Sequence, residues 1–143
     1  MEFRDESDIG YGSSESDRHW AMLLHFSALT GFFTGIGFVL GPIIVFLLGR
    51  DRRPSLGKHF RAAMNFHITW WLAVGVLTIV GFILFAILTL ITFGLAIPLL
   101  VAIAWLMGIL QAGAMIFFPI KAGLDAHDGR FYEYPLSIRF FNY

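Results

Sequence analysis

Five histidines are the side chains of this sequence best suited to metal binding or proton transfer: His19, His25, His59, His67 and His127. No two of them have the His-x-x-x-His spacing, and no His-x-x-His-His box occurs, so the dense ligand sets of membrane metalloenzymes are missing. The chain has no cysteine, which excludes a thiolate metal site, a cysteine nucleophile and a disulfide. We therefore predict no metal ion and no cofactor.

Acids and bases for catalysis are also missing from the two long apolar regions. Residues 20–49 and 68–120 contain no Asp, Glu, Lys or Arg. Proton-coupled transporters keep a carboxylate inside the membrane, and membrane metalloproteases need one as a general base. Ser27 lies outside any Gly-x-Ser-x-Gly elbow, which would expose a serine nucleophile. The sequence therefore predicts a protein that is not an enzyme.

Four polar side chains remain candidates for a structural or functional role. His25 is expected to be a neutral imidazole bonded to a neighbouring helix, with proton sensing as the alternative. Asn65, near His59, can donate and accept at once, so we expect it to tie its helix to loop carbonyls or to a glycine-rich bend. Gln111 lies in the last apolar region, where an interhelical hydrogen bond or the lining of a polar path would explain it.

The apolar regions are long enough to cross a membrane. Hydrophobic residues make up 57% of the chain and charged residues only 14%, whereas an ordinary soluble domain is nearer half apolar and a quarter charged. Uncharged runs of more than roughly 18 residues indicate transmembrane helices. We predict an all-α membrane protein, a small bundle of about four helical segments.

The first apolar region, residues 20–49, would measure about 45 Å as one helix. Glycines and Pro42 interrupt it, so we expect two short helices near 17–30 and 35–49, joined by a glycine-rich bend, with Asp17 or Ser16 as the first N-cap. Charge leaves two threadings open, a single kinked crossing or a shallow hairpin. Composition favours the hairpin.

A basic segment follows the first apolar region. Because Lys and Arg concentrate on the cytoplasmic side of membrane spans, this segment is predicted to face the cytoplasm and to meet anionic lipid headgroups. Ser55 is expected to cap a helix that runs on into a span at 68–91. The basic residues are Arg50, Arg52, Arg53, Lys58 and Arg61.

The second half of the sequence predicts one more membrane span, followed by a C-terminal segment rich in aromatic residues. A turn at 92–94 precedes a helix with Pro98 in its first turn, and Pro119 with Lys121 is expected to mark the cytoplasmic exit near residue 120. The aromatic residues that follow suit a segment lying on the bilayer or on the cytoplasmic loop. We divide the chain into a disordered acidic tail (1–18), a transmembrane helical domain (19–123) and a cytoplasmic C-terminal segment (124–143).

Three motifs in order carry a family resemblance. The first is Trp20-Ala21-Met22-Leu23-Leu24-His25 with Gly41-Pro42-Ile43-Ile44 downstream, and the second is Arg50-Asp51 followed by His59 and Asn65-Phe66. The third includes Tyr134, Pro135, Arg139 and Phe140. With these motifs the chain resembles uncharacterised bacterial membrane proteins related to the Tic-twenty-like component of chloroplast protein import. That resemblance implies about four helical segments with both termini cytoplasmic, which supports the hairpin, and it carries over no catalytic residue.

These observations predict a multi-pass protein of the bacterial inner membrane, a scaffold or accessory subunit of the kind used in protein translocation. The alternative is a small oligomeric channel or transporter with Thr30, Thr34, Gln111 and His25 lining its path. The expected partners are membrane lipids, other membrane proteins and further copies of the chain. The formal net charge of zero argues against nucleic acid.

Overall fold

The computed structural model describes residues 14–143, and these form helices, turns and an irregular C-terminal segment. The all-α fold is confirmed. The predicted tail lies outside the described residues from 1 to 13, and its last residues, 15–18, are helical. The helices are α1 (Glu15–Ser27), which continues through a 3₁₀ turn (Ala28–Thr30) into the single turn α2 (Gly31–Thr34), then α3 (Gly37–Gly49), α4 (Leu56–Ile91) and α5 (Ile97–His127).

The start of α1 corrects the predicted N-cap. Ser14, not Asp17 or Ser16, is the cap: its hydroxyl accepts from the Asp17 amide, and the Asp17 carboxylate accepts from the Ser14 amide. This reciprocal capping box satisfies two amides that the first helical turn leaves without partners. Asp17 therefore occupies the third helical position, and the helix begins at Glu15, two residues before its predicted start near residue 17.

The first apolar region is a hairpin. Gly35 has a φ of 73°, a conformation that glycine adopts without strain, and it ends α2 before α3 turns back. Where α3 crosses α1, a Cβ on Gly41 would lie 2.3 Å from the Ser27 carbonyl oxygen. Glycine thus lets the two backbones touch. At the open end, Arg53 donates to the Ser16 hydroxyl at 2.8 Å and lies 3.4 Å from the Asp17 carboxylate, so residues 14 and 53 are at one end of the molecule.

Two helices, α4 and α5, are long and apolar enough to cross a membrane. At 36 residues, α4 is about 54 Å long, well beyond a hydrocarbon core of roughly 30 Å. Ser55 precedes it as predicted, but the Ser55 side chain makes no capping hydrogen bond. Pro98 lies in the first turn of α5 as predicted.

Helix α5 is longer than the predicted span. The span is predicted to leave the membrane near residue 120, and the helix continues through Pro119 to His127. An ion pair one turn apart, from Lys121 to Asp125 at 3.1 Å, supports the extension. Gly123 faces the Phe26 ring so closely that a Cβ there would lie 2.4 Å from it. Packing against α1 therefore stabilises the part of α5 that follows Pro119.

The buried core lies at one end of the bundle. It joins α1, the first half of α4, the last third of α5 and the C-terminal segment, with Leu24, Ala63, Phe66 and Ala122 completely buried. By contrast, the most apolar 18-residue window of α4 is 0% buried. Apolar surface left uncovered over that length fits contact with lipid rather than water.

Candidate functional site

Three polar side chains from three segments meet inside the core. The His25 ring in α1 lies between its two partners, with Nε2 at 3.1 Å from His59 Nδ1 of α4 and Nδ1 at 2.9 Å from the Tyr134 hydroxyl of the C-terminal segment. His25 is 1% exposed, His59 3% and Tyr134 4%. We call these three residues the His–Tyr cluster. The sequence-based expectation that His25 bonds a neighbouring helix agrees with this geometry.

The direction of the hydrogen bonds follows from what each group can do. Burial raises the pKa of the Tyr134 phenol well above its ordinary value, so the hydroxyl keeps its proton and can donate to His25 Nδ1. The neutral His25 ring then carries its own proton on Nε2 and donates to His59 Nδ1. If His25 Nδ1 instead donated to the Tyr134 oxygen, the Tyr134 hydroxyl proton would have no acceptor among the described residues. The cluster therefore holds a chain of neutral groups, which suits a structural connection.

Aromatic rings enclose the His–Tyr cluster. The Phe66 ring stacks on Tyr134 with centroids 4.4 Å apart, and Phe131 meets His59 edge-on at 5.5 Å. The Lys58 ammonium lies 4.2 Å from the centre of the Phe131 ring, a cation–π contact. The C-terminal segment thus packs on the first turns of α4, which agrees with its predicted position against the cytoplasmic loop.

Asn65 fastens the end of the C-terminal segment. Its amide nitrogen donates to the Phe141 carbonyl and its oxygen accepts from the Phe141 amide, both at 2.8 Å. One turn later, the Thr69 hydroxyl accepts from the Ile138 amide at 2.8 Å. Asn65 is a tether, but its partner is the C-terminal backbone and not the loop or the glycine-rich bend that the sequence analysis named. The pairing joins residues 76 apart in sequence, so no local pattern indicates it.

We expect Asn65→Ala to release the last residues of the C-terminal segment while the helices stay folded. The variant removes both hydrogen bonds to Phe141, each worth about 1 kcal/mol, from a segment with few other polar contacts. Amide hydrogen exchange in detergent should become faster at residues 137–143 and stay slow in α1. Asn142→Ala is the matched control on an exposed amide. Unchanged exchange at 137–143 in Asn65→Ala would contradict the tether.

The rest of the C-terminal motif has different surroundings. Pro135 and Phe140 are exposed. Arg139 forms an ion pair with Glu133 and lies over the Tyr143 ring at 5.5 Å. Of the four motif residues, only Tyr134 reaches the core.

The basic segment lies at the same end as the C-terminal segment. Arg53 covers the Trp20 ring at 4.8 Å as well as pairing with Asp17. Within residues 14–143, Arg50 forms an ion pair only with its neighbour Asp51, at 3.5 Å. Among the described residues, no carboxylate lies within ion-pair distance of the other three basic residues of the segment, Arg52, Lys58 and Arg61.

Asp125 is a structural residue that the sequence analysis missed. Its carboxylate accepts from Arg130 at 2.7 Å and from Lys121 at 3.1 Å. These bonds fix the turn at Asp128 and Gly129, where the chain leaves α5 for the C-terminal segment. The four-residue spacing of Lys121 and Asp125 was the available signal.

Gln111 lies apart from the His–Tyr cluster. It lines a cleft of about 440 Å³ between the tip of the α1–α3 hairpin and helices α4 and α5. The Thr30 and Thr34 hydroxyls donate to carbonyls of their own helical turns, and His25 is enclosed in the core. The structure therefore does not bring Thr30, Thr34, Gln111 and His25 onto one path.

Comparison with protein-family models decides the family. The model of the MamF/MmsF magnetosome magnetite crystal formation protein family matches residues 16–141, which is nearly the whole described chain. The chain belongs to the MamF/MmsF family. No curated protein and no solved structure matches it.

Membership in the MamF/MmsF family corrects the resemblance to the Tic-twenty-like import component. The three motifs that carried the resemblance all lie within the matched residues. In the structure they build the His–Tyr cluster, the Asn65 tether and the hairpin crossing. These are packing features of a small helical bundle, so they do not identify a protein-import component.

Proposed function

We propose that this MamF/MmsF family member acts in magnetite crystal formation as a non-enzymatic scaffold of the magnetosome membrane, working from its cytoplasmic face. The family description supplies the process and the organelle, and the two helices that are long and apolar enough to cross a membrane support a place in its membrane. The observation that carries the scaffold role is the one-sided distribution of charge. Every described Asp, Glu, Lys and Arg lies within residues 15–18, 50–61 or 121–139, and contacts described above join these three stretches at one end of the bundle.

The opposite end supports the same orientation. There, α4 and α5 are joined by residues 92–96, Thr-Phe-Gly-Leu-Ala, which include no charged side chain. A membrane around a crystal has one face toward the mineral and one toward the cytoplasm, and Lys and Arg favour the cytoplasmic face. In this orientation the 92–96 loop faces the mineral with no carboxylate to bind iron. The charged end is then the surface that meets partners.

Two kinds of partner suit the charged end. Arg52, Lys58 and Arg61, which have no carboxylate partner among the described residues, can attract anionic lipid headgroups, each for about 1 kcal/mol. The packed C-terminal segment beside them offers a fixed surface for other membrane proteins. Self-association is not needed to explain the glycines of the hairpin, because Gly31 and Gly41 are already in contact with Phe38 and Ser27 of the same chain.

The test replaces Arg52, Lys58 and Arg61 together with glutamine in cells that form magnetite. Arg50 and Arg53 stay, so that the basic segment still sets the orientation in the membrane. We expect the variant to reach the magnetosome membrane at normal abundance but to give crystals whose size distribution approaches that of a deletion strain. Electron microscopy measures the crystals, and mass spectrometry of the purified variant should find less anionic lipid.

The matched control changes the opposite end. A Thr92→Ala, Phe93→Ala variant should give normal crystals, because the 92–96 loop has no assigned partner. Altered crystals in that variant together with normal crystals in the basic-segment variant would overturn the cytoplasmic scaffold. Normal crystals after complete deletion would overturn the role in crystal formation itself.

A further inference from the structure

The C-terminal segment carries large apolar side chains that the described part of the chain leaves uncovered. Leu136 is 80% exposed and Ile138 is 58% exposed, and Phe140 is exposed as well. Tyr134, two residues before Leu136, is buried and hydrogen-bonded to His25. The segment is therefore packed in place while these apolar side chains face outward. A group of this kind marks a surface that contacts something apolar.

The turn at Pro135 and Leu136 presents the leucine at an exposed tip. Leu136 has a φ of 56°, in the left-handed region that a bulky side chain rarely adopts. Strain of this kind persists where the surrounding structure holds it, and it concentrates at sites of function. The chain is held on both sides of the turn, by Tyr134 in the core and by the Ile138 amide, which donates to the Thr69 hydroxyl at 2.8 Å.

The contact with Thr69 places the segment at the level where α4 enters the membrane. A hydrocarbon core needs about 20 helical residues, so a span that ends at Ile91 begins at about residue 72. Thr69 then lies roughly 5 Å outside the core, within a headgroup layer that is about 5–8 Å thick on each side. Trp70 and Trp71 lie at the same level, where tryptophan is enriched in membrane proteins. Ile138 is therefore at the depth of the headgroups.

We propose that the turn at Leu136 inserts into the membrane leaflet at the charged end of the bundle, with Leu136 and Ile138 in contact with the upper acyl chains. Continuity favours lipid over a protein partner, because nearly every residue from Trp71 to the end of α4 is exposed and most are apolar. Glu133 and Arg139 beside the turn pair with each other, which lowers the cost of bringing their charges to the headgroup layer.

The inserted turn acts differently from the basic segment. The basic segment attracts anionic headgroups through charge, whereas the turn at Leu136 contacts neutral and anionic lipid alike. Because Tyr134 joins the turn to His25 in the core, the turn fixes how deep the bundle sits in the leaflet. The proposal rests on the placement of α4 across the membrane and not on the role in crystal formation, so its failure would leave that role untouched.

The experiment measures the depth of residue 136 in a bilayer. The chain has no cysteine, so the full chain with Leu136→Cys can carry one nitroxide spin label, in nanodiscs of neutral phosphatidylcholine with one copy per disc. Electron paramagnetic resonance measures collisions with oxygen, which concentrates in lipid, and with a nickel chelate, which stays in water. We expect the ratio of oxygen to chelate collisions at residue 136 to be severalfold higher than at an Asp51→Cys label, on an exposed residue of the basic segment.

Two further labels calibrate the depth. Ile79→Cys, at an exposed position in the middle of α4, should give a higher ratio than residue 136. Asn142→Cys is the matched control on the same segment, beyond the Asn65 tether, and should resemble Asp51→Cys. Equal ratios at residues 136 and 51 would overturn the proposal, because the turn would then lie in water. A label at residue 136 that neither reagent reaches would also overturn it, since protein and not lipid would then cover the turn.

Discussion

His25→Leu is expected to destabilise the folded bundle by about 3 kcal/mol, because it breaks two buried hydrogen bonds at once. The Tyr134 hydroxyl would be left in the core without an acceptor among the described residues, and His59 would lose the bond from the imidazole. Leucine is similar in size to the imidazole, so a cavity contributes little. Equilibrium unfolding in mixed detergent micelles measures the change. His127→Leu, at an exposed position on α5, is the control and should change stability by less than about 0.5 kcal/mol.

A double-mutant cycle identifies the cause of that loss. Tyr134→Phe removes only the hydroxyl, and it should cost about 1–2 kcal/mol in the wild-type background because His25 Nδ1 loses its donor. In the His25→Leu background the same change should cost almost nothing, since no buried hydroxyl is then left unsatisfied. Additive losses would contradict the hydrogen bond between Tyr134 and His25. Equal losses in His25→Leu and His127→Leu would contradict the whole cluster.

The sequence predicted the helices well because their signals are local. Uncharged runs, Pro98 at a helix start and the glycines around Gly35 each act within a few residues, so the four main segments and the bend lie close to their predicted positions. The wrong N-cap has a local cause, the capping box at Ser14. The length of α5 beyond Pro119 does not, because there Gly123 packs on Phe26 of α1, which is distant in the sequence.

The His–Tyr cluster was predicted only in part, because it depends on contacts between distant residues. His25 and Tyr134 are 109 positions apart and Asn65 and Phe141 are 76 apart. The sequence shows that each is a polar or aromatic residue beside a membrane span. Which of them meet depends on how the hairpin lies against α4 and α5. The same limit explains why Gln111 was placed on one path with His25, although Gln111 lines an open cleft and His25 is enclosed in the core.

Gly41→Ala should be as damaging as the loss of His25, through packing and not through polarity. A methyl group at this position would lie 2.3 Å from the carbonyl oxygen and 2.6 Å from the carbonyl carbon of Ser27. Both are backbone atoms of the helical segment that precedes the bend, so relief requires α1 and α3 to move apart. Overpacking of this kind costs about 3 kcal/mol at the upper end of its usual range. The melting temperature in detergent should fall accordingly.

Gly81→Ala provides the comparison for Gly41→Ala, since both exchange the same residue types inside a helix. A Cβ at Gly81 meets no atom within 4 Å, and alanine favours helix over glycine by roughly 0.5–1 kcal/mol. Gly81→Ala should therefore leave the melting temperature unchanged or raise it, whereas Gly41→Ala lowers it. If both variants melt like the wild type, the hairpin backbones are not in contact at Gly41. In that case the bend at Gly35 and the contacts of Arg53 with Ser16 and Asp17 would have to keep α1 and α3 together.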